Sequence, residues 1–268
     1  MLILDSVTYR YAGAERPSLY EIDMRLDDGE VVGVVGASES GKTTLCLVAS
    51  GLAPRAIRGT LTGRLLIDGD DVAAERMHEL TVRTGVCFQD PDTQLSGVTG
   101  SVFEEIAFGP MNLGLALAEV LSRTQEALAA LGIEHLSQRH PARLSGGQMQ
   151  LVAIGGLLAM RPAHLILDEP TAQLDPAGTL LVADALAGLA AGGSSILITE
   201  QKTDLLARIC DRVVALDQGR LVLTGRAEEV LAEPGLEALG VAAPSAVRLR
   251  RSASDAGVDP ARIEAGFR

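Results

Sequence analysis

The order of apolar and polar positions predicts most of the secondary structure. Leu2, Leu4, Val7 and Tyr9 recur along an extended stretch that ends in a turn at Gly13. Ile22, Met24 and Leu26 then alternate with polar residues until Asp27-Asp28-Gly29 turns the chain. Val31-Val32-Gly33-Val34-Val35 is continuously apolar, the pattern of a strand buried on both faces of a parallel sheet. Leu65-Leu66-Ile67-Asp68-Gly69 predicts another strand and turn, and Gly85-Val86-Cys87-Phe88 a further buried strand.

The middle of the chain changes period. Val120, Leu121, Thr124, Leu128 and Leu131 fall at helical spacing, with Gly132 as a stop. A second helix is expected from near Ser145 through Met160, before Pro162. Buried strands follow at His164 to Leu167 and Ser195 to Thr199, separated by an Ala/Leu-rich helix from about Pro176 to Ala191. Val213 to Leu216 and Leu221 to Leu223 close the sheet. Strands alternating with helices predict an α/β domain, with the helical block from about 92 to 150 inserted in it. The tail beyond Thr224 is mixed and carries Arg248, Arg250 and Arg251, which predicts a small helical appendage.

Composition narrows the class. The 268 residues are 47% hydrophobic, enough for a well-buried core in one or two domains. No run reaches the roughly 18 apolar residues of a membrane helix, and the N-terminus lacks a signal-peptide pattern. A soluble, cytosolic chain is expected, with any membrane role exercised through a partner. The net charge of −12 argues against nucleic acid as the main ligand, because phosphate backbones select basic surfaces. Only Lys42 and Lys202 are lysines, so 21 of the 23 basic residues are arginine. An Arg/Ala compositional bias accounts for that, yet a compact ammonium at position 42 does what arginine's planar fork cannot. Cys46, Cys87 and Cys210 lie far apart in apolar contexts and read as buried thiols in a reducing compartment.

The strand at 31–35 runs into Gly36-Ala37-Ser38-Glu39-Ser40-Gly41-Lys42-Thr43-Thr44 and then into the helical Leu45-Cys46-Leu47-Val48-Ala49. This matches GxxxxGK[ST] in its strand–loop–helix setting. Gly36 and Gly41 let the backbone curl so that its N–H groups face phosphates, and the helix N-terminus adds a favourable dipole. Lys42 is placed to reach the β and γ oxygens, and the Thr43 hydroxyl to meet Mg²⁺. Glu39 sets a carboxylate in a loop built for a polyanion. Its side chain is expected to point to solvent, since the rest of the loop is intact; the alternative is that it weakens the site.

Leu165-Ile166-Leu167-Asp168-Glu169-Pro170 is an apolar strand ending in two carboxylates. Asp168 fits the Mg²⁺ shell, and Glu169, one residue on, would face the attacking water. Paired acids at a turn are a weak signal alone and a strong one beside the phosphate loop.

With these residues the resemblance is to ABC-type ATP-binding subunits. Leu144-Ser145-Gly146-Gly147-Gln148 resembles the ABC signature, and Leu174-Asp175 the D-loop that follows it. Gln89 sits where the Q-loop glutamine belongs, and Tyr11 matches the aromatic that stacks on adenine. Five elements in order cover nearly 200 residues. A narrower match runs from Gln89-Asp90-Pro91-Asp92-Thr93-Gln94-Leu95 to Val102-Phe103-Glu104-Glu105-Ile106-Ala107-Phe108-Gly109-Pro110-Met111-Asn112-Leu113-Gly114. This resembles the energy-coupling-factor branch, whose ATPases power uptake of vitamins and of nickel or cobalt ions. Asp90 replaces that branch's usual asparagine, and Ile106 its second acid.

The resemblance implies a P-loop NTPase fold with a RecA-like core, an antiparallel β edge and a helical subdomain. An ATPase domain over 1–225 and a C-terminal appendage over 226–268 are expected. It further implies ATP bound by Tyr11, Gly36, Ser38, Glu39, Ser40, Gly41, Lys42, Thr43 and Thr44, with Mg²⁺ at Thr43, Gln89 and Asp168. Ser145, Gly146, Gly147 and Gln148 would close over the phosphates of a second, head-to-tail subunit. A transmembrane coupling subunit and a substrate-binding membrane subunit are the other implied partners, at the cytoplasmic face of the membrane.

One family residue is missing. Its switch histidine stands three residues before an acid, and counting back from Asp204 gives Gln201. No histidine occurs after His164, and His78, His135, His140 and His164 read as surface or structural. Glutamine can hydrogen-bond a phosphate or water but offers neither a titratable proton nor a charge. The expectation is a slow site, with Glu169, Gln201 and Gln89 as its catalytic residues, in one half of an unequal pair. A silent regulatory subunit and a soluble, non-transport ABC ATPase are the competing readings.

Overall fold

The computed structural model describes residues 1–256. Its strands are β1 (Leu2–Tyr11), β2 (Leu19–Leu26), β3 (Val31–Val35), β4 (Gly59–Ile67), β5 (Asp70–Asp71), β6 (Thr84–Cys87), β7 (His164–Asp168), β8 (Ser195–Thr199), β9 (Arg212–Asp217) and β10 (Arg220–Arg226). The helices are α1 (Lys42–Ala49), α2 (Leu52–Arg55), α3 (Met77–Arg83), α4 (Val102–Asn112), α5 (Leu117–Ala130), α6 (Gly146–Met160), α7 (Pro176–Ala191), α8 (Thr203–Ile209), α9 (Ala227–Leu231) and α10 (Ser245–Asp255). Four strands make an antiparallel sheet in the order β2-β1-β4-β5, and six make a second sheet in the order β10-β9-β3-β8-β7-β6. In the second sheet only β10 runs against its neighbour.

Period-2 side-chain geometry divides the parallel strands between two cores. Val31 and Val35, Leu165 and Leu167, and Ile196 and Ile198 face the helical layer containing α4 to α8. Val32 and Val34, Ile166 and Leu197 face the other way, onto α1 and the antiparallel sheet. The sheet is therefore covered on both sides, which is why its strands are apolar without interruption.

One strand departs from simple alternation. Leu2, Leu4, Val7 and Tyr9 are all buried, although alternation would set the first pair and the second on opposite faces. Ser6 adopts a left-handed φ of 51°, and the register of β1 with both neighbours shifts there. The bulge returns Val7 and Tyr9 to the core face.

The segment from α4 to α6 forms the helical layer, its three helices packed on one another. Three of the longer helices have a side-chain start. Ser101 caps α4, Ser145 caps α6 and Asp175 caps α7; such caps contribute about 1 kcal/mol each. After β10 the chain folds back on the core, to which Val230, Leu231, Leu236 and Val241 belong. Asp204 ties α10 down by accepting from the Ser245 N–H at 2.8 Å. Residues 257–268 of the expected C-terminal appendage lie outside the described residues.

Candidate nucleotide and catalytic site

The C-terminal ends of β3, β6, β7 and β8 open onto one cleft of about 1130 Å³, the edge where open parallel sheets bind ligands. Ser38, Glu39, Gly41, Lys42, Thr43 and Thr44 line it after β3, Gln89 after β6, Glu169 after β7 and Gln201 after β8. Four separated stretches of sequence thus converge. Arg16, Lys42 and Arg220 line it together with Glu39 and Glu169, three cations to two carboxylates, on a chain of net charge −12.

The loop after β3 is compact because two of its residues have no side chain. A Cβ on Gly36 would stand 2.2 Å from the Leu216 carbonyl oxygen, and one on Gly41 2.9 Å from that of Ser18. Lys42 is buried, and its ammonium donates to the carbonyls of Gly36 and Ala37 at 2.8 Å each. Gly36 and Ser40 lie inside the loop rather than on the cleft wall; the Ser40 hydroxyl is buried with no partner among the described residues. Glu39 is exposed, on the cleft lining, with a left-handed φ of 65°. Below the loop, burial and then the Asp168 charge push the Cys46 thiol well up from its ordinary range.

The acidic pair is held from β8. Asp168 is buried and accepts from the Thr199 hydroxyl at 2.7 Å. The Glu169 N–H donates to the Thr199 carbonyl at 3.0 Å and to its hydroxyl at 3.1 Å. Glu169 has a φ of 47°, and this turn carries its side chain to the cleft while Asp168 stays behind it. Gln201 donates from Nε2 to Glu169 Oε1 at 2.9 Å and Oε2 at 3.0 Å. Both contacts come from one nitrogen, so a single N–H is shared between the two carboxylate oxygens, a bifurcated contact.

Other expected residues lie apart. Tyr11 is not on the cleft lining; its hydroxyl meets that of Thr44 at 2.9 Å and its ring packs edge-on against Tyr9. Ser145, Gly146, Gly147 and Gln148 are also outside the cleft, at the start of α6. There Ser145 and Gln148 cap each other reciprocally at 3.4 and 3.1 Å. His164 is buried against Asp68, and His140 accepts from the Ala142 N–H, both away from the cleft.

Several residues were not anticipated. Arg16, Pro17, Ser18, Tyr20, Gln218, Gly219 and Arg220 build the far wall, where Arg220 stacks 4.8 Å over the Tyr20 ring. Thr199 gives no sequence signal of its role. Arg220 follows a Gln-Gly turn and reads locally only as part of a hairpin.

No cluster of three or more His, Cys, Asp or Glu suited to a metal occurs among the described residues. Thr43 and Gln89 line the cleft with a hydroxyl and an amide oxygen, and Asp168 ends β7 with a carboxylate. Hard oxygen donors in small number suit Mg²⁺, which draws the rest of its shell from phosphates and water.

A shallower groove of about 240 Å³ lies between α4 and α6, lined by Leu95, Glu105, Phe108, Leu157 and Met160 among others. Glu105 anchors its rim by accepting from the Ser96 N–H and hydroxyl at 2.5 and 2.8 Å. Among the described residues no helix is long and apolar enough to cross a membrane.

Comparison with known proteins adds five findings. The sequence profile of the ABC transporter family matches residues 19–172. The energy-coupling factor transporter ATP-binding protein EcfA2 of Symbiobacterium thermophilum is 40% identical over 236 residues, covering 87% of this chain and 80% of that protein. The structure of cbiO1 from Clostridium perfringens, described as part of the ABC transporter complex cbiONQ, superposes with a TM-score of 0.75 at 35% identity, over 88% of this chain and 92% of that one. A dimeric ATP-binding cassette bound to ADP and Pi superposes with a TM-score of 0.74 at 25% identity, over 85% and 99%. The chain spans only about two-fifths of the length of a 38% identical ABC transporter ATP-binding protein from Methanosarcina mazei, which covers 92% of this chain.

Proposed function

This chain belongs to the ABC transporter family, with ATP-binding subunits of the energy-coupling-factor type, and we propose that it powers uptake of a vitamin or metal ion through membrane partners. It is an ATPase. The observation that carries the mechanistic reading is Glu169, held by Gln201 in the same cleft as Lys42 and Thr43.

In this reading the N–H groups of residues 38–44 and the Lys42 ammonium bind the β- and γ-phosphates of ATP, aided by the N-terminus of α1. Thr43, Gln89 and Asp168 are the residues that would hold Mg²⁺, which would supply charge neutralisation on the phosphate oxygens. Thr199 fixes Asp168 and the backbone of Glu169. Glu169 takes a proton from the attacking water at its carboxylate. Gln201 orients that carboxylate without carrying a proton, which makes this a slow site. Adenine meets the Arg16–Tyr20 wall, which lines the cleft where Tyr11 does not.

The Ser145–Gln148 start of α6 completes the site of a second ATPase subunit, and this chain is one half of a heterodimer. The dimeric cassette among the structural neighbours supports the paired arrangement. The groove between α4 and α6, with Phe108, Leu157 and Met160, takes the transmembrane coupling subunit, and a separate membrane subunit binds the substrate. The protein then works at the cytoplasmic face of the membrane, attached peripherally. An ATPase domain over 1–225, with the helical insertion at about 92–150, and a C-terminal piece over 226–268 fit this division of labour.

The test is a Glu169→Gln substitution in the complex isolated from membranes. Nucleotide binding should persist while turnover falls about a hundredfold or more. Turnover within twofold of the unaltered complex would remove Glu169 from the role. Copurification with ribosomes or DNA in place of membrane proteins would overturn the transport reading.

A further inference from the structure

Arginine supplies nearly all the positive charge of this chain, so the second lysine, Lys202, stands out as Lys42 does. An ammonium is a compact donor of three N–H bonds, and three acceptors arranged around a point suit it better than a planar guanidinium. Lys202 Nζ donates to the Thr171 carbonyl at 2.6 Å, the Leu174 carbonyl at 3.1 Å and the Thr179 hydroxyl at 3.0 Å. All three donors are used. Lys202 is not on the cleft lining, so it has no part in holding phosphate.

Its neighbours repeat the pattern. Glu200, buried, accepts from the Thr171 hydroxyl at 2.6 Å and the Thr171 N–H at 3.3 Å. Gln201, between the two, donates to Glu169. Residues 199–202 are thus joined residue by residue to the stretch from Asp168 to Thr179. The far side of the same turn lies on the start of α6. A Cβ on Gly146 would meet Gln173 Oε1 at 2.5 Å, and one on Gly147 the Gln173 carbonyl oxygen at 3.2 Å and Leu174 at 3.6 Å.

We propose that Lys202 is a positioning residue that couples the Glu169–Gln201 pair to the Ser145–Gln148 signature of the same chain. It clamps the Thr171–Leu174 turn from one side, and the turn seats the signature glycines on the other. Because the signature serves a second subunit, Lys202 makes the geometry of this chain's own catalytic pair felt at its neighbour's nucleotide. The inference rests on the reading of Glu169 as general base and of the signature as acting in trans.

The test uses the complex isolated from membranes with Mg-ATP, following turnover against ATP concentration and amide hydrogen exchange at residues 145–149 of this chain. In Lys202→Met, kcat should fall about tenfold with KM within about twofold, as expected for a misplaced rather than a missing binding group. Exchange at 145–149 should rise about fivefold, selectively over the other helix starts. Lys202→Cys treated with 2-bromoethylamine rebuilds an ammonium of nearly the same reach and should recover both readouts. Cys46 and Cys87 are buried and Cys210 half-buried, all with thiols raised above their ordinary range, and they should be spared. Should Lys202→Met not fold, Thr179→Ala removes one acceptor and should move both readouts the same way by a smaller factor. Unchanged kcat and unchanged exchange at 145–149 in the folded variants would overturn the coupling. A Glu169→Gln chain that still turns over fails the general-base reading, while the exchange response continues to judge the link to the signature.

Discussion

Gln201 offers its side-chain amide to both carboxylate oxygens of Glu169, at 2.9 and 3.0 Å. A histidine at that position offers one N–H toward a given partner and can carry a proton; an amide offers two N–H groups and cannot. The substitution therefore exchanges a titratable contact for a rigid, neutral one. Glu169 stays aimed, and position 201 supplies no cation to join Lys42 in stabilising charge as it develops on the phosphates.

Two substitutions separate these effects. Gln201→Ala should lower turnover about tenfold through loss of orientation alone, with nucleotide affinity retained. Gln201→His should raise turnover several-fold and introduce an inflection near about pH 6.5 in the rate profile. Steady-state hydrolysis from pH 5.5 to 8.5 reads both. Equal rates for Gln201→Ala and the unaltered protein would show that the contact plays no part in turnover.

Glu39 brings two penalties to the phosphate loop. Its φ of 65° is a region where side chains of L-residues are strained by about 1 kcal/mol or more. Its carboxylate shares the cleft with the positions meant for phosphate. Glu39→Gly should therefore tighten ATP binding about five- to tenfold, an effect of roughly 1 kcal/mol for one nearby like charge. The gain should shrink as salt rises, since exposed charges are screened. Titration with a fluorescent ATP analogue at low and high ionic strength measures it, and a gain independent of salt would assign the effect to the backbone.

Local signals in the sequence carried much of the fold and the chemical half of the site. The strand–loop–helix at 31–49, the apolar strand ending in Asp168-Glu169 and the Ser145–Gln148 cap are each written within about twenty residues or fewer. What was hidden depends on distant pairing. The far wall joins Arg16–Tyr20 to Gln218–Arg220 across two hundred residues, through a Tyr20 N–H bond to the Gly219 carbonyl at 2.8 Å. The bulge at Ser6 leaves no mark except that Val7 and Tyr9 fall out of phase with Leu2 and Leu4. The three bonds of Lys202 reach back 23 to 31 residues. Only its rarity pointed to it, and rarity carries no geometry. Leu231, Leu236 and Val241 join the main core although their local sequence reads as a mixed, helical appendage.

The phosphate loop also sets a strict limit on side-chain volume. A Cβ on Gly36 would approach the Leu216 carbonyl to 2.2 Å, and that oxygen belongs to β9 and cannot swing aside. Gly36→Ala should destabilise the fold by about 2 kcal/mol or more and abolish nucleotide binding. Gly13→Ala meets no atom within 4 Å and, with a φ of 82°, should cost only about 1 kcal/mol of backbone strain. Urea midpoints of the two variants rank them, and a Gly36→Ala protein as stable as Gly13→Ala would mean the loop can reshape.

Alkaline pH offers a last test, through the buried thiols. Burial pushes Cys87 up to about 12, and also raises Cys46 and Cys210. In the unfolded chain each thiol ionises near its ordinary value of about 8.5. The folded state thus holds these protons where the unfolded state releases them. Stability from this source is complete below about pH 8.5 and is lost as pH rises toward the folded values. For Cys87 the loss should reach about 2 kcal/mol at pH 10, because each unit above the unfolded value is worth about 1.4 kcal/mol. A Cys87→Ala chain starts less stable at pH 7, from the small cavity it leaves. Its further loss between pH 7 and 10 should be smaller than that of the unaltered chain by about the same 2 kcal/mol. Urea unfolding at both pH values measures the difference between the two slopes. Parallel losses in the two proteins would mean that Cys87 ionises in the folded state as readily as in the unfolded one, and that its site beside Gln150 admits water.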